Sequence, residues 1–271
     1  MQHVIVMGAG NLARALVKGW LDQTPLGMKL SILTRSNAYQ ERGWVVDDRA
    51  IPTYDPEILT TADIIVLAVK PKDVGAALTT VHTYAPAEAL LLSCVAGVTL
   101  RTLTGALPQR SIVRSMPNIA VAVHDGTVVV ADGNGLEHAL WPILKSYLAC
   151  LGHVAVVSEV WLDPATAVSG SGPAYAYVLL QALLEAGSQM GLPDSLAREL
   201  AAHALRGAAE LALAFPERTF SELTRWVASP GGTTEAALAV LKRTEVEDTL
   251  RRAIVAAGSQ AARLGQTGPQ A

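Results

Sequence analysis

Short apolar runs alternate with helical patterns along the first 160 residues. The first run, His3–Met7, is almost continuously apolar, as is typical of a strand buried on both faces of a parallel sheet. Six more such runs follow, and a helix is predicted over Leu136–Leu148. This alternation predicts βαβ units and an α/β fold with a Rossmann-type, doubly wound sheet. The predicted strands are His3–Met7, Lys29–Thr34, Asp63–Val69, Ala89–Val95, Ser111–Arg114, Thr127–Ala131 and His153–Val157.

The β-rich runs stop near residue 160, and the remaining sequence has the pattern of helices rich in Ala and Leu. We therefore predict a Rossmann-type domain over residues 1–160 and an all-α bundle over residues 161–271. So many small residues would let the helices approach closely and bury surface against a second copy, although an ordinary compact bundle explains them equally. The predicted helices are Pro173–Met190, Pro193–Ala214, Phe220–Val227, Thr233–Leu241 and Val246–Leu264.

Composition and charge argue against several classes of protein. Hydrophobic residues make up 51% of the chain and charged residues 17%, which indicates a globular protein with a large buried fraction. The net charge of −3 and the scattered Lys and Arg residues give no basic surface for nucleic acid. The six histidines lack metal-ligand spacing, so no metal site is expected.

The cysteines and the lengths of the apolar runs indicate the cellular compartment of the protein. Cys94 and Cys150 cannot form a disulfide framework for a chain of this size, and both lie in apolar stretches typical of buried free thiols. No apolar stretch reaches the ~20 residues that a membrane span needs, and the N-terminus lacks the pattern of a signal peptide. We expect a soluble, cytoplasmic protein without a membrane partner.

A glycine-rich string follows the first predicted strand. Gly8-Ala-Gly10-Asn-Leu-Ala13 fits the G-x-G-x-x-A form of the dinucleotide fingerprint and opens a helix. Gly8 would permit the tight turn, Gly10 would let the backbone approach a pyrophosphate, and Ala13 would allow close helix–strand packing. The free amides at the helix N-terminus favour the anionic pyrophosphate. The string predicts a dinucleotide cofactor.

The end of the second strand distinguishes NADPH from NADH. NAD sites place an acid there for the ribose 2′-hydroxyl, whereas NADP sites place an Arg for the 2′-phosphate. The segment from Lys29 to Asn37 contains no acid, and its Arg35 and Ser36 suit a phosphate dianion. NADPH is the predicted cofactor, and NADH is kept as the second candidate.

Two further strings each open a helix. Ser169–Tyr177 and Val227–Glu235 carry glycines and a proline flanked by hydroxyl residues. Backbone amides in such a loop can bind a carboxylate without any Arg or Lys. A helix capped by Thr233 or Thr234 explains the second string equally well. From the residues alone, both interpretations stay open.

Five strings together resemble pyrroline-5-carboxylate reductase, in the family's order and spacing across essentially the whole chain. The resemblance implies NAD(P)H-dependent reduction of 1-pyrroline-5-carboxylate to L-proline, the last step of proline biosynthesis. It also implies homodimers with interlocked helical domains, often assembled into decamers, whose active sites use both subunits. The strings are Gly8–Ala13, Leu67–Pro71, Met116–Asn118, Ser169–Tyr175 and Ser229–Thr234.

The resemblance assigns roles by motif match. Thr234 would place its hydroxyl at the ring nitrogen as the catalytic residue, and Glu217 matches a position in a proton-delivery network, although a surface glutamate explains it more simply. Asn118 would lie near the nicotinamide and substrate. The predicted substrate residues are Val227, Ser229, Gly231, Gly232, Thr233 and Asn118. With the fingerprint, the predicted cofactor residues are Gly8, Gly10, Asn11, Leu12, Arg35, Ser36, Ala68, Val69, Lys70, Pro71 and Ala96.

Some positions depart from the family pattern and keep a second enzyme class open. Ile119 follows Asn118 where the family has Thr, and the region before the last string carries Phe220, Arg225 and Trp226 instead of the usual Pro and acid. Asp55 stands where Asn is more usual. The alternative is a related NADPH-dependent reductase for another cyclic imine acid.

Two other classes are less well supported. A β-hydroxyacid dehydrogenase would need a lysine on the first C-terminal helix, and the only lysine between Ser146 and Ala271 is Lys242. A non-enzymatic NADPH sensor would have no use for Thr233 and Thr234 on a carboxylate-binding loop.

Overall fold

The computed structural model describes residues 1–35, 49–50 and 52–266, with side chains as far as Arg263. Within these residues, one eight-stranded sheet has the strand order β3-β2-β1-β4-β5-β6-β7-β8. Neighbouring strands are parallel except β6 and β7, which are antiparallel. The predicted Rossmann-type sheet is confirmed. The strands are β1 (Gln2–Met7), β2 (Met28–Leu33), β3 (Pro52–Thr53), β4 (Ile64–Leu67), β5 (Leu90–Ser93), β6 (Ile112–Pro117), β7 (Gly126–Ala131) and β8 (Gly152–Val157).

The described α-helices fall into those that flank the sheet and those that follow it. The flanking helices are α1 (Asn11–Asp22), α2 (Val74–Tyr84), α3 (Leu100–Ala106) and α4 (Trp141–Ala149). A short helix α5 (Leu162–Ala165) continues into a π-helical turn over Thr166–Gly170. The helices that follow are α6 (Gly172–Gln189), α7 (Asp194–Ala214), α8 (Phe220–Val227), α9 (Thr233–Arg243) and α10 (Val246–Gln266).

The core lies on both faces of the sheet because side chains alternate along each strand. Val4 and Val6 of β1 pack with the buried faces of α1 and α4. Ile5 and Met7 point to the opposite face, where they pack with α2 and α3. Such two-sided burial explains the near-continuous apolar runs in the sequence.

Buried Arg114 ties the sheet to the segment that follows it. Only 2% of its side chain is exposed on β6. Its Nη1 lies 3.0 Å from Glu159 Oε1, and its Nη2 lies 2.9 Å from Asp163 Oδ1. Glu159 Oε1 also accepts a hydrogen bond of 2.7 Å from the Leu100 amide at the start of α3. One guanidinium therefore joins the sheet to α5 and, through Glu159, to α3.

The chain divides into two compact units, one formed by Met1–Pro173 with the segment from Ala256, and one formed by Ala174–Val255. All residues of the second unit are described, and the buried ones are Gly187, Ala197 and Ala201. Large apolar side chains of α6, α7 and α8 are exposed, among them Val178, Leu213 and Phe220. So much exposed apolar surface marks an interaction face, because a monomeric protein rarely leaves it in water.

Candidate active site

A cleft of about 1130 Å³ opens at the carboxyl ends of the central strands. Backbone hydrogen bonds extend the ladder past the strand ends, from the Gly8 amide to the Leu33 carbonyl and from the Ala68 amide to the Met7 carbonyl, both 2.9 Å. These bonds bring the loops after β1, β2 and β4 to one edge, where ligands bind in open α/β sheets. The predicted cofactor residues in its lining are Gly8, Gly10, Asn11, Leu12, Arg35, Ala68, Val69, Lys70, Pro71 and Ala96.

The two fingerprint glycines are required for different reasons. Gly8 has a φ of +124°, and a Cβ there would lie 2.5 Å from the Ala68 carbonyl oxygen. Its glycine is therefore imposed by the fold. A Cβ at Gly10 would meet no atom within 4 Å and would project into open space. Internal packing therefore does not explain Gly10, whereas close approach of a ligand would.

The N-terminus of α1 has free backbone amides that favour binding of an anion. Its N-cap is Gly10, which has no side chain to cap the helix, and the first turn contains no acid. The amides of Asn11 and Leu12 therefore have no partner within the helix, and the positive end of the helix dipole faces the cleft. This is the arrangement that binds pyrophosphate.

Arg35 forms an ion pair at the edge of the cleft. Its Nη2 lies 2.7 Å from Asp73 Oδ1, with 69% of the Arg35 side chain and 27% of the Asp73 side chain exposed. The Arg35 hydrogen bond, helped by the charges of Lys72 and Lys70, lowers the pKa of Asp73 below its usual value. Ser36, the other residue predicted at this point, lies outside the described residues.

Cys94 lines the same cleft but is not chemically activated. Its thiol is buried and lies 3.4 Å from Ser115 Oγ. Burial raises the pKa of Cys94 to about 12, so the thiol stays protonated at physiological pH. Cys94 therefore forms part of the wall of the cleft.

The amide of Asn118 makes hydrogen bonds within the protein. Its Oδ1 accepts from the amides of Ala120 and Thr127, at 3.1 and 3.2 Å, and its Nδ2 donates to the Ser169 carbonyl at 3.1 Å. Asn118 is 8% exposed and is not among the cleft-lining residues. The Asn118 side chain therefore links the end of β6 to the π-helical turn through hydrogen bonds.

The loop before α9 lies in the second unit. Gly232 is the N-cap of α9, so Thr233 and Thr234 are its first two residues. The interpretation in which Thr233 or Thr234 caps this helix is therefore wrong. Because no side chain caps α9, the Thr233 and Thr234 amides have no partner within the helix.

Two other amides of this loop are already engaged. The Gly231 amide donates to Glu235 Oε2 at 2.7 Å, and the Gly232 amide donates to the Ser229 carbonyl at 3.0 Å. Gly231 has a φ of +72°, which turns the chain back toward α9. The Gly231 and Gly232 amides are therefore not available to an anion, whereas those of Thr233 and Thr234 lie at the uncapped start of α9.

The residues that depart from the family pattern have structural partners of their own. The ring of Trp226 meets Phe215 edge-on at 5.3 Å between centroids, and the Arg218 guanidinium lies 4.1 Å above it. Arg225 Nη1 donates to Ser221 Oγ within α8 at 3.1 Å. The Trp226 cluster therefore fastens α8 to the turn that precedes it.

Glu217, Asp55, Phe220 and Ile119 also have defined surroundings. The Glu217 side chain is 67% exposed and lies 3.9 Å from Arg218 Nε, as expected of a surface glutamate. Asp55 Oδ1 accepts from the Glu57 amide at 2.9 Å and caps the 3₁₀ turn Pro56–Thr61. Phe220 and Ile119 are exposed.

The sequence pattern did not indicate two acids, one at the edge of the cleft and one at the start of α9. Asp73 lies just past the predicted Leu67–Pro71 string, and only its contact with Arg35 shows its importance. Glu235 lies four residues after Gly231, a spacing that could have indicated a contact across the helix start. Within the described residues, no cluster of His, Cys, Asp or Glu could hold a metal ion, and no helix is long and apolar enough to cross a membrane.

The sheet topology, the glycine turn and the uncapped α1 define a Rossmann-type dinucleotide-binding protein, the class that includes the nicotinamide-dependent oxidoreductases. Comparison with protein families supports this class. Residues 3–97 match the family described as NADP oxidoreductase, coenzyme F420-dependent. Residues 159–264 match the family described as pyrroline-5-carboxylate reductase dimerisation.

Individual relatives identify the family. A pyrroline-5-carboxylate reductase of Corynebacterium melassecola is 31% identical over 98% of this chain and 100% of its own length. The Pseudomonas aeruginosa enzyme of that name is 32% identical over 97% of each chain. A Plasmodium falciparum pyrroline carboxylate reductase solved with NADP bound superposes with a TM-score of 0.85 at 25% identity, covering 97% of this chain and 98% of that one. This chain belongs to the pyrroline-5-carboxylate reductase family.

We expect the protein to be an obligate dimer through its helical unit. The exposed apolar side chains of α6, α7 and α8 need a partner, and the match to a dimerisation family covers this unit. Light scattering on the purified enzyme at assay concentration should give twice the chain mass or a multiple of it. An active monomer at that concentration would refute the prediction.

Proposed function

We propose that this chain catalyses the reduction of 1-pyrroline-5-carboxylate to L-proline with NADPH, the last step of proline biosynthesis. The observation that carries the proposal is that relatives named pyrroline-5-carboxylate reductase align over nearly the full length of both chains. Residues 1–160 would form the cofactor domain, and residues 161–271 the substrate and dimerisation domain. We also propose the cytoplasm as its compartment, in keeping with two cysteines that form no disulfide.

The residues of the cleft fit NADPH. The open α1 N-terminus and the space at Gly10 suit the pyrophosphate. Arg35 at the end of β2 suits the 2′-phosphate, with Lys70 and Lys72 in the same lining. When bound, NADPH supplies the hydride that the imine carbon accepts.

The start of α9 is the proposed site for the substrate carboxylate. The Thr233 and Thr234 amides and the positive end of the helix dipole would hold it. Ser229 and Val227 would shape the loop around it, and the φ of Gly231 sets its turn. Asn118 would act as a positioning residue, because its amide is committed to the Ser169 carbonyl and two backbone amides.

Thr234 is the proposed catalytic residue. A C=N bond accepts hydride more readily when its nitrogen is protonated or strongly hydrogen-bonded. The Thr234 hydroxyl would donate to that nitrogen and orient the ring. Hydride addition at the carbon raises the electron density on the nitrogen, so the hydrogen bond strengthens in the transition state, and a proton taken from water completes the amine. Because Gly232 occupies the N-cap, the Thr234 hydroxyl is not needed for helix capping.

The loss of NADPH absorbance in the presence of pyrroline-5-carboxylate tests the proposal. A panel of cyclic imines that differ in ring size, or that lack the carboxylate, separates this function from a related imine reductase. We expect the five-membered imine acid to give the highest kcat/KM. A different ring preferred over it would overturn the substrate assignment, and no oxidation of NADPH with any imine would overturn the reaction class.

Reversing the charge of Arg35 should shift the cofactor preference. Arg35→Asp would place a second carboxylate beside Asp73, where a 2′-phosphate is proposed to bind. We expect kcat/KM for NADPH to fall by roughly tenfold or more, as for loss of a hydrogen bond to a charged group, with little loss for NADH. Lys29→Asp, on β2 but outside the cleft lining, is the control. A wild-type enzyme indifferent to the 2′-phosphate, or an unchanged variant, would count against the assignment.

A further inference from the structure

We infer that Asp73 is a second determinant of cofactor choice, which restrains NADPH binding and supports NADH binding. Its carboxylate holds the guanidinium that a 2′-phosphate needs, and it can accept a hydrogen bond from a ribose 2′-hydroxyl. The inference rests on the proposed function, because it concerns the cofactor cleft of that reductase.

The Asp73 carboxylate and the Arg35 guanidinium meet from two different loops. Asp73 comes from the loop after β4, whereas Arg35 comes from the end of β2, yet Asp73 Oδ1 lies 2.7 Å from Arg35 Nη2. Both residues line the cleft. In dinucleotide-binding folds the end of the second strand contacts the ribose 2′ position. An acid held against Arg35 therefore borders the same position, although β2 itself supplies no acid.

The Asp73 carboxylate has no capping role at the start of α2. Asp73 ends the 3₁₀ turn Pro71–Asp73, which runs directly into α2, and its backbone is helical instead of extended as in a capping residue. Here its side chain makes no capping hydrogen bond and is turned to Arg35 instead. Helix capping therefore does not use this carboxylate, which is left to pair with Arg35 at the edge of the cleft.

Positive charge predominates at this edge of the cleft. Arg35, Lys70 and Lys72 supply three positive charges to the lining, and Asp73 is the acid among them. The neighbouring cations lower the pKa of Asp73, so its carboxylate is charged at physiological pH. A 2′-phosphate dianion would meet the attraction of three cations together with the repulsion of one carboxylate.

Asp73 should therefore have opposite effects on the binding of the two cofactors. For NADPH, Arg35 must be shared with or released from Asp73, and two anions come close together. For NADH, Asp73 supplies the acceptor that the 2′-hydroxyl lacks on β2, and a hydrogen bond to a carboxylate is stronger than one to a neutral oxygen. Asp73 should thus narrow the preference for NADPH that Arg35 creates.

Dissociation constants for NADPH and NADH, measured by cofactor fluorescence without substrate, test this inference. We expect Asp73→Asn to bind NADPH roughly three- to tenfold more tightly and NADH roughly threefold more weakly, as for the removal of one partly exposed charge. Asp22→Asn is the matched control, because Asp22 is paired with Lys18 at the end of α1, outside the cleft lining. It should change neither constant.

The possible failures are distinguishable. If the wild-type enzyme binds neither cofactor, the proposed function fails. If it binds both and Asp73→Asn matches the wild type, the function stands and the inference is overturned. Weaker binding of both cofactors would also overturn it, because Asp73 would then only hold Arg35 in place. Thermal melts of each variant show whether a change in binding reflects a change in folding.

Discussion

Thr234→Ala is expected to lower the rate of hydride transfer by roughly 10²–10³-fold, the typical cost of removing one hydrogen bond made in a transition state. The structure sharpens this prediction, because Thr234 is the second residue of α9 and Gly232 is its N-cap. The variant should therefore keep nearly all of its stability, instead of losing the ~1 kcal/mol that removal of a capping side chain costs. Single-turnover kinetics with NADPH, together with thermal melts, measure both quantities.

Two variants complete that experiment. Thr234→Ser keeps the hydroxyl and should retain much more activity than Thr234→Ala. Thr249→Ala, on an exposed position of α10, removes the same atoms away from the loop and should behave as the wild type. A stable Thr234→Ala enzyme with wild-type turnover would remove Thr234 from the mechanism.

Arg114→Met should destabilise the first unit more than any exposed substitution. The change leaves the carboxylates of Glu159 and Asp163 without their cation inside the fold. Breaking a buried ion pair costs several kcal/mol because the remaining charge is poorly hydrated. Both carboxylates keep about 30% exposure, so we expect the free energy of unfolding to fall by roughly 3 kcal/mol, the low end of that range. Urea denaturation measures the change.

The matched control for Arg114 is Arg101→Met on α3. Arg101 is exposed and should change the free energy of unfolding by less than about 0.5 kcal/mol. If Arg114→Met were as stable as this control, the network from β6 to α5 would not hold the segment after the sheet in place.

Much of the fold could be predicted because its signals are local. All seven predicted strands occur, and two-sided burial makes the central ones, such as β1, β4 and β5, almost continuously apolar. The two-residue strand β3 escaped prediction because Pro52 and Thr53 are too short a run to show a period. Helix α4 begins at Trp141 instead of Leu136, because residues Asn134–Glu137 form a separate 3₁₀ turn.

Residues of the candidate active site could be predicted only where they are contiguous in the sequence. The glycine turn and the start of α1 are contiguous in sequence, so Gly8, Gly10 and Asn11 could be assigned to the cleft. Asp73 could not, because its relevance comes from a contact between loops that follow different strands. The hydrogen bond from Asn118 to the Ser169 carbonyl also could not be predicted, because the two residues are fifty-one positions apart in the sequence.

We expect this enzyme to transfer hydride to a five-membered imine acid. The most direct measurement is product analysis with NADPH deuterated at the transferable position and pyrroline-5-carboxylate as substrate. One L-proline should form for each NADPH consumed, with deuterium at the ring carbon that was double-bonded to nitrogen. NADPH consumption without labelled L-proline, or no consumption at all, would contradict it.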